Sequence, residues 1–194
     1  MHIQTLLLAA GSGSRFGGDK LVQPLADGRP MIVACAESLL RAGCEVLVVV
    51  RPESREISSL LTPLIDASER LRIRSCADCA QGMGHSLACG VAASRDADAW
   101  LVALGDMPFV RVETLTRISA ELSAGASLVA PVLGGRRGHP VGFAGCWREH
   151  LLASHGDAGA RGLLAGQAHR LTRVETDDPG VLRDLDRPAD IPLS

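Results

Sequence analysis

The chain has 194 residues, a formal net charge of −2 at pH 7, and an aromatic content of 3% with no tyrosine. This length suits one well-buried core, so we expect a single domain spanning residues 1–194. Without a basic surface, or aromatic rings on which bases stack, nucleic acid is excluded as an expected partner.

The start of the sequence, Met1-His2-Ile3-Gln4, lacks the basic residues of a secretory signal. No apolar stretch approaches the roughly 20 residues that span a bilayer. We therefore predict a cytoplasmic protein that does not associate with membranes.

Short apolar runs alternate with amphipathic stretches along the whole chain. The runs predict β-strands at residues 3–8, 45–50, 71–74, 99–104, 127–130 and 171–175. The stretches between them predict helices at about 30–42, 54–65, 84–94 and 111–123, and one or two within 146–166. This alternation is typical of a three-layer α/β fold, a mostly parallel sheet with helices on both faces. We interpret residues 134–142, rich in glycine and arginine, as a functional loop.

A glycine-rich stretch follows the first predicted strand and ends at Lys20, the sole lysine beside nineteen arginines. Small residues there let backbone N–H groups approach an anion, and a lysine ammonium supplies a compact charge. The pattern favours a phosphate-binding loop. The alternative is that a coding bias toward arginine left one lysine by chance.

Carboxylates are predicted at the same edge of the sheet. Asp106 follows the strand at 99–104 after one glycine, at the edge where ligands of parallel sheets gather, and hard carboxylate oxygens suit Mg²⁺. The alternative role for Asp106 is to start a turn or cap the helix near 111. Near the end of the chain, Asp184-Leu185-Asp186 places two carboxylates on one side of a short extended segment, and either fits the same metal. The alternative there is a solvated surface.

Six cysteines are scattered along the chain, and we expect most of them to be structural. Cys76 and Cys79 have C-x-x-C spacing, but no second pair follows at the distance of a zinc site. Metal or redox chemistry is therefore not the favoured reading of this pair.

Three segments together resemble the nucleotidyltransferases that act on molybdenum cofactor, a branch of the pyrophosphorylase-like enzymes. They are the loop from Leu8 to Lys20, the turn Leu104-Gly105-Asp106-Met107-Pro108, and Asp184-Leu185-Asp186-Arg187-Pro188. Within that family the chain is similar to the cytidylyltransferase branch, on the motifs at residues 81–87, 135–143 and 156–161. The likeness covers nearly the whole chain and implies a Rossmann-like nucleotidyltransferase fold.

The resemblance implies that CMP is transferred from CTP to the terminal phosphate of molybdopterin, with release of pyrophosphate and with Mg²⁺ as cofactor. It further implies that a molybdenum hydroxylase receives the product. Ala9-Ala10-Gly11 matches the CTP branch, whereas the GTP branch tends to have Ala-Gly-Gly.

The resemblance also implies a role for particular residues. Arg15, Lys20 and Asp106 are the implied catalytic residues, and Asp106 and Asp186 the implied metal ligands. Implied molybdopterin-binding residues are Arg136, Arg137, His139 and Arg161. The implied nucleotide-binding residues are Ala9, Ala10, Gly11, Ser12, Gly13, Ser14, Arg15, Lys20, Gln81, Gly82 and Ser86.

Three other functions remain open at this stage. A related nucleotidyltransferase would use GTP in place of CTP, as a molybdenum cofactor guanylyltransferase, or would act on another small phosphate. A non-catalytic carrier would bind the cofactor and hand it to a partner enzyme without needing Asp106 or a metal. A dinucleotide-binding oxidoreductase is disfavoured, because Arg51-Pro52 follows the second strand where an acidic residue is expected.

Overall fold

A computed structural model describes residues 1–11, 19–157 and 159–191. Its strands are β1 (Ile3–Leu8), β2 (Glu45–Val50), β3 (Leu71–Ser75), β4 (Ala99–Leu104), β5 (Leu128–Leu133), β6 (Arg136–Arg137), β7 (Val141–Ala144) and β8 (Leu171–Glu175). Its α-helices are α1 (Met31–Arg41), α2 (Arg55–Ala67), α3 (Met83–Ala92), α4 (Val112–Ser123), α5 (Arg148–Leu152) and α6 (Arg161–Gly166). Among these helices, none has both the length and the apolarity needed to cross a bilayer.

The strands form one mixed sheet in the order β3-β2-β1-β4-β7-β5-β6, with β8 paired to β5. The pairs β1–β2, β1–β4, β2–β3 and β5–β8 are parallel. The pairs that involve β7 or β6 are antiparallel. Because the central strands are covered on both faces, their sequences are almost continuously apolar, as in the run Glu-Val-Leu-Val-Val-Val of β2.

Two hydrophobic clusters cover the two faces of the sheet. Alternate residues of β1 and β2 enter each cluster, because successive side chains of a strand point to opposite faces. One cluster contains the buried sides of α1, α2 and α4, and the other contains those of α3, α5 and α6. The predicted three-layer arrangement is therefore confirmed.

The order in which the chain adds strands to the sheet reverses at β1. Helices α1 and α2 connect β1, β2 and β3 on one face, and α3 then returns on the other face to β4, on the opposite side of β1. At such a reversal the loops after the two neighbouring strands separate and leave a crevice. The carboxyl ends of β1 and β4 are thus the expected place for a ligand.

The six predicted strands and the four longer predicted helices are present, with ends shifted by at most three residues. The reading of residues 134–142 as a loop was wrong in part, because β6 and the start of β7 lie there. These strands escaped notice because β6 has two arginines and β7 begins just after Pro140. The strand predicted at 127–130 continues past Pro131. The carbonyl of Pro131 accepts a hydrogen bond from Gly138 N at 2.8 Å, at the point where the pairing partner of β5 changes from β7 to β6.

The cysteines Cys35, Cys44, Cys76 and Cys79 are buried free thiols. Burial raises the pKa of Cys76 to about 12, helped by its contact with Cys89, so its thiol is protonated at neutral pH. No group of three or more potential metal ligands of the His, Cys, Asp or Glu type occurs within the part of the chain that the structure describes.

Candidate functional site

The crevice begins where β1 and β4 end side by side. Leu8 pairs with Leu104, and Gly105 N donates to the carbonyl of Leu8 at 3.0 Å. A Cβ on Gly105 would lie 3.1 Å from that carbonyl, so a larger residue would push the turn away from β1. The close approach brings the loop after β1 next to the turn that carries Asp106.

Lys20 joins three parts of the chain at this point. Its Nζ donates to Asp106 Oδ2 at 2.7 Å and to Asp186 Oδ1 at 2.9 Å. Burial by itself would lower the pKa of Lys20. The hydrogen bonds to the two carboxylates, together with their negative charges, outweigh the effect of burial, so the net shift of the pKa is upward. The ammonium therefore remains charged at neutral pH and holds the two carboxylates together.

The segment that carries Asp186 is fixed by backbone hydrogen bonds. Leu185 N donates to the carbonyl of Asp106 at 3.0 Å. The Asp190 carboxylate accepts from Asp186 N at 3.0 Å and from Arg187 N at 2.7 Å. The acidic cluster near the end of the chain is thus partly structural, since Asp190 organises the turn that presents Asp186.

Two cavities meet at Asp106. The lysine cavity, about 530 Å³, contains Lys20, and the arginine cavity, about 650 Å³, contains Arg136, Arg137 and Arg161. Their shared wall consists of Leu8, Met83, Leu104, Asp106 and Asp157. Two ligands bound in neighbouring cavities would therefore meet beside the carboxylate pair.

The lysine cavity contains part of the predicted nucleotide-binding set. Its lining includes Ala10, Gly11, Lys20, Gly82 and Ser86. Two predicted residues are not brought there: Ala9 packs in the core at 1% exposure, and the exposed side chain of Gln81 donates to Asp78 at 3.2 Å. Ser12, Gly13, Ser14 and Arg15 lie outside the described residues.

The arginine cavity contains all four residues predicted to bind the second substrate, Arg136, Arg137, His139 and Arg161. No ion pair joins these arginines to a carboxylate in the described part of the chain. Burial and the charge of Arg161 lower the pKa of Arg137, although a guanidinium remains charged. Guanidinium groups beside an apolar wall, with no ion pair to the described carboxylates, suit an anionic ligand.

His139 lies in the same cavity as a neutral imidazole. Burial, the charge of Arg137 and the charge of Arg161 lower its pKa to about 4, while Asp184 acts in the opposite direction. Its Nδ1 is buried and has no hydrogen-bond partner among the described residues. The ring keeps a single N–H at neutral pH and is able to orient a ligand without adding charge.

Three charged residues that line these cavities were not among the predicted site residues. Asp157 belongs to the shared wall, while Arg51 and Glu53 line the lysine cavity. Arg51 directly follows β2, and its Nη2 lies 3.5 Å from Asp19 Oδ2. Because ligands gather at the carboxyl ends of parallel strands, the position of Arg51 was a usable signal. Asp157 lies within the motif at residues 156–161, which was the signal available for it.

The carboxylate pair fits a divalent cation. Asp106 Oδ2 is bonded to Lys20, but Oδ1 of the same carboxylate is buried without a hydrogen-bond partner among the described residues. Asp186 accepts a hydrogen bond from the same Lys20 ammonium as Asp106. Two carboxylates are too few to enclose Mg²⁺, which commonly takes its other ligands from water and substrate phosphates. The site is therefore suited to a metal that arrives with a phosphorylated ligand.

A family model described as "MobA-like NTP transferase domain" matches residues 5–174. Nicotine blue oxidoreductase of Paenarthrobacter nicotinovorans is 33% identical over 191 residues, covering 93% of this chain and 90% of the relative. Purine catabolism protein PucB of Bacillus subtilis is 31% identical over 188 residues, covering 94% of this chain and 91% of the relative.

Solved structures agree with this fold. A nucleotidyl transferase from Methanothermobacter thermautotroptrophicus matches with a TM-score of 0.81 and 27% identity, covering 97% of this chain and 94% of the other. Rv0371c of Mycobacterium tuberculosis, in a complex with manganese, matches with a TM-score of 0.80 and 22% identity, covering 98% and 96% of the two chains. At that identity the second match supports the fold alone.

Proposed function

Because this chain belongs to the family of MobA-like NTP transferase domains, we propose that it is a nucleotidyltransferase that moves CMP from CTP to the terminal phosphate of molybdopterin and releases pyrophosphate. The observation that carries the proposal is the bridge from Lys20 to Asp106 and Asp186, at the junction of two cavities. A donor nucleotide and a phosphorylated acceptor would meet at that junction.

In the proposed reaction the acceptor phosphate attacks the α-phosphorus of CTP as pyrophosphate leaves on the opposite side. The new bond joins an acceptor oxygen to the α-phosphorus, and the bond from that phosphorus to the bridging oxygen of pyrophosphate breaks. No general base is needed, because the attacking phosphate is already an anion. Catalysis then depends on positioning the two substrates and on stabilising negative charge.

Each side chain has a place in this scheme. Lys20 in its charged form, together with Arg15, neutralises the phosphates that leave, and the backbone of Gly11 approaches them. Asp106 and Asp186 would hold Mg²⁺, with Asp106 Oδ1 as one ligand atom. When bound, the ion would offset charge on the phosphate oxygens. Arg136, Arg137 and Arg161 bind the acceptor, whose pterin lies against the apolar wall.

CTP is proposed over GTP on the basis of Ala10, which lines the lysine cavity. Its methyl group narrows the space for a purine, although one methyl typically changes discrimination by only about 1–3 kcal/mol. A guanylyltransferase is the nearest alternative and differs only in the base accepted.

Other functions have less support. A cofactor carrier would bind molybdopterin in the arginine cavity but would have no use for the carboxylate pair. One relative bears the name of an oxidoreductase, yet a cavity lined by Lys20 and Asp106, with Asp186 bonded to the same lysine, suits a triphosphate and its metal better than a hydride carrier. We also propose a molybdenum hydroxylase as the recipient of the product.

The deciding experiment offers CTP, GTP, ATP and UTP separately, with Mg²⁺ and molybdopterin, and measures pyrophosphate. We expect release with CTP that requires both the metal and the acceptor. Activity with GTP alone would transfer the assignment to the guanylyl branch. Absence of release with every nucleotide, combined with retained molybdopterin binding, would favour the carrier.

A further inference from the structure

Asp178 is a buried carboxylate outside both cavities, with an exposed fraction of 1%. Its Oδ2 accepts from the backbone N of Arg111 at 2.8 Å and from Thr114 Oγ1 at 2.8 Å. Its Oδ1 accepts from Gly180 N at 2.9 Å. The carboxylate thus ties the first turn of α4 to the segment that leads toward Asp186.

The segment after Asp178 packs tightly against the turn that follows β4. A Cβ on Gly180 would overlap the carbonyl of Phe109, so no side chain fits at this contact. The guanidinium of Arg183 lies 4.7 Å from the centroid of the Phe109 ring. Any displacement of Gly180 would therefore be passed along the segment rather than absorbed by empty space.

The same segment contacts both halves of the site. The carbonyl of Val181 accepts from His139 N at 2.9 Å, which fixes the backbone of the arginine cavity. Four residues further on, Leu185 N donates to the carbonyl of Asp106 at 3.0 Å, and Asp186 then reaches Lys20. His139 and Asp186 are thus both held by a segment that Asp178 anchors.

We propose that Asp178 is a positioning residue of the transferase site, which sets Asp186 against Lys20 and Asp106 and sets His139 in the arginine cavity. It acts through the 178–186 segment and touches neither substrate. This inference rests on the function proposed above. Supporting residues of this kind commonly matter nearly as much as the ligands that they orient.

The Asp178→Asn substitution tests this chemistry directly. An asparagine has the same shape but only one oxygen, so its amide can accept from Arg111 N or from Gly180 N and not from both. Its NH₂ group must then face a backbone donor at the other position. One of the two links that hold the segment is lost, whichever way the amide turns. Thr114→Val is the matched control, because it removes one hydroxyl donor and leaves both backbone links in place.

The experiment compares the two variants with the wild type by Mn²⁺ binding, followed by electron paramagnetic resonance in the presence of CTP, and by steady-state kinetics. For Asp178→Asn we expect Mn²⁺ binding to weaken and the half-saturating Mg²⁺ concentration to rise, each by about tenfold. We expect kcat to fall by about 10²-fold, as for a small misplacement of a catalytic group. The KM for CTP should stay within about twofold, since the lysine cavity lies largely outside the segment. Thr114→Val should retain all four values.

Failure of this inference is distinguishable from failure of the proposed function. If the wild type neither releases pyrophosphate nor binds Mn²⁺, the function itself is wrong and the inference falls with it. If the wild type does both and Asp178→Asn matches it, or loses thermal stability with unchanged Mn²⁺ binding, Asp178 is only structural. Should Asp178→Asn not fold, Arg183→Ala decides, because it loosens the same segment at its exposed contacts with the Phe109 ring and the carbonyl of Asp190. An unchanged Mg²⁺ requirement in that variant would overturn the proposal.

Discussion

Lys20 Nζ and Asp106 Oδ2 lie 2.7 Å apart although 86 positions separate them in the chain. Lys20 ends the loop after β1, and Asp106 lies in the turn after β4. Their hydrogen bond spans the crevice at the point where the strand order reverses, and Asp186 accepts a hydrogen bond from the same ammonium. The proposed transfer depends on this contact.

Removal of the ammonium should slow turnover. For Lys20→Ala we expect pyrophosphate release to fall by about 10²–10³-fold, equivalent to roughly 3–4 kcal/mol, as for loss of one preorganised oxyanion donor. The rate is measured with CTP, Mg²⁺ and molybdopterin at saturation. Arg55→Ala, an exposed cation at the start of α2, is the control that should keep the wild-type rate. Equal rates in Lys20→Ala and the wild type would refute the role given to Lys20.

The Asp106→Asn variant should lose its metal. The amide removes the negative charge that a divalent ion requires, so we expect Mn²⁺ binding in the presence of CTP to weaken by at least about tenfold. Titration calorimetry measures the change. Asp66→Asn, an exposed carboxylate near the end of α2, provides a control of equal chemistry. Unaltered Mn²⁺ affinity would show that the ion is held elsewhere.

The neutral state of His139 should make the wild type less stable in acid. Its pKa is lowered to about 4 from an ordinary value of 6.5, so between these pH values the unfolded chain binds more protons than the folded protein. The free energy of unfolding therefore falls as the pH decreases from 6.5 to 4, by at most about 3 kcal/mol from this group.

Urea denaturation at pH 4.5 and pH 7 measures that dependence. His139→Gln should reduce the difference between the two pH values, whereas His169→Gln, at an exposed position, should leave it unchanged. The same pH dependence in His139→Gln and the wild type would contradict the assignment of a half-buried neutral imidazole.

The arginine cavity should lose affinity for the acceptor when a guanidinium is removed. For Arg137→Ala we expect molybdopterin to bind about 10–100-fold more weakly, since a hydrogen bond to a charged group contributes roughly 1.5–3 kcal/mol. Filter binding or co-purification of the pterin measures the loss. The exposed Arg55→Ala variant again serves for comparison. If both variants retain the pterin equally, the acceptor does not bind in this cavity.

The base preference should respond to Ala10. In the Ala10→Gly variant, loss of the methyl group enlarges the lysine cavity, so we expect the ratio of kcat/KM for GTP to that for CTP to rise by about tenfold or more. Leu61→Ala would disturb the core without reaching this cavity and should leave the ratio unchanged, even at lower stability. A constant ratio in Ala10→Gly would remove the argument for CTP from this position.

Much of the architecture was predictable because it depends on local patterns. The apolar runs of β1, β2 and β4 are long and bounded, and periodicity alone located them. β6 and β7 were not located, because their residues become strands only by pairing with β5 and β4. The choice between Asp184 and Asp186 was also beyond spacing. The structure places Asp186 on Lys20, while Asp184 is exposed at the arginine cavity.

Short-range patterns in the sequence specify the layers of this protein and the residue types at its candidate site, since hydrophobic periodicity and glycine content act over a few neighbouring residues. Which side chains meet depends instead on the folded structure. It brings Lys20, Asp106 and Asp186 together from three distant segments. It also buries Asp178, which in the sequence is one member of an acidic run. The physical reason is that contacts between such distant segments are set by strand order and by the packing of whole elements, which no short window of sequence records.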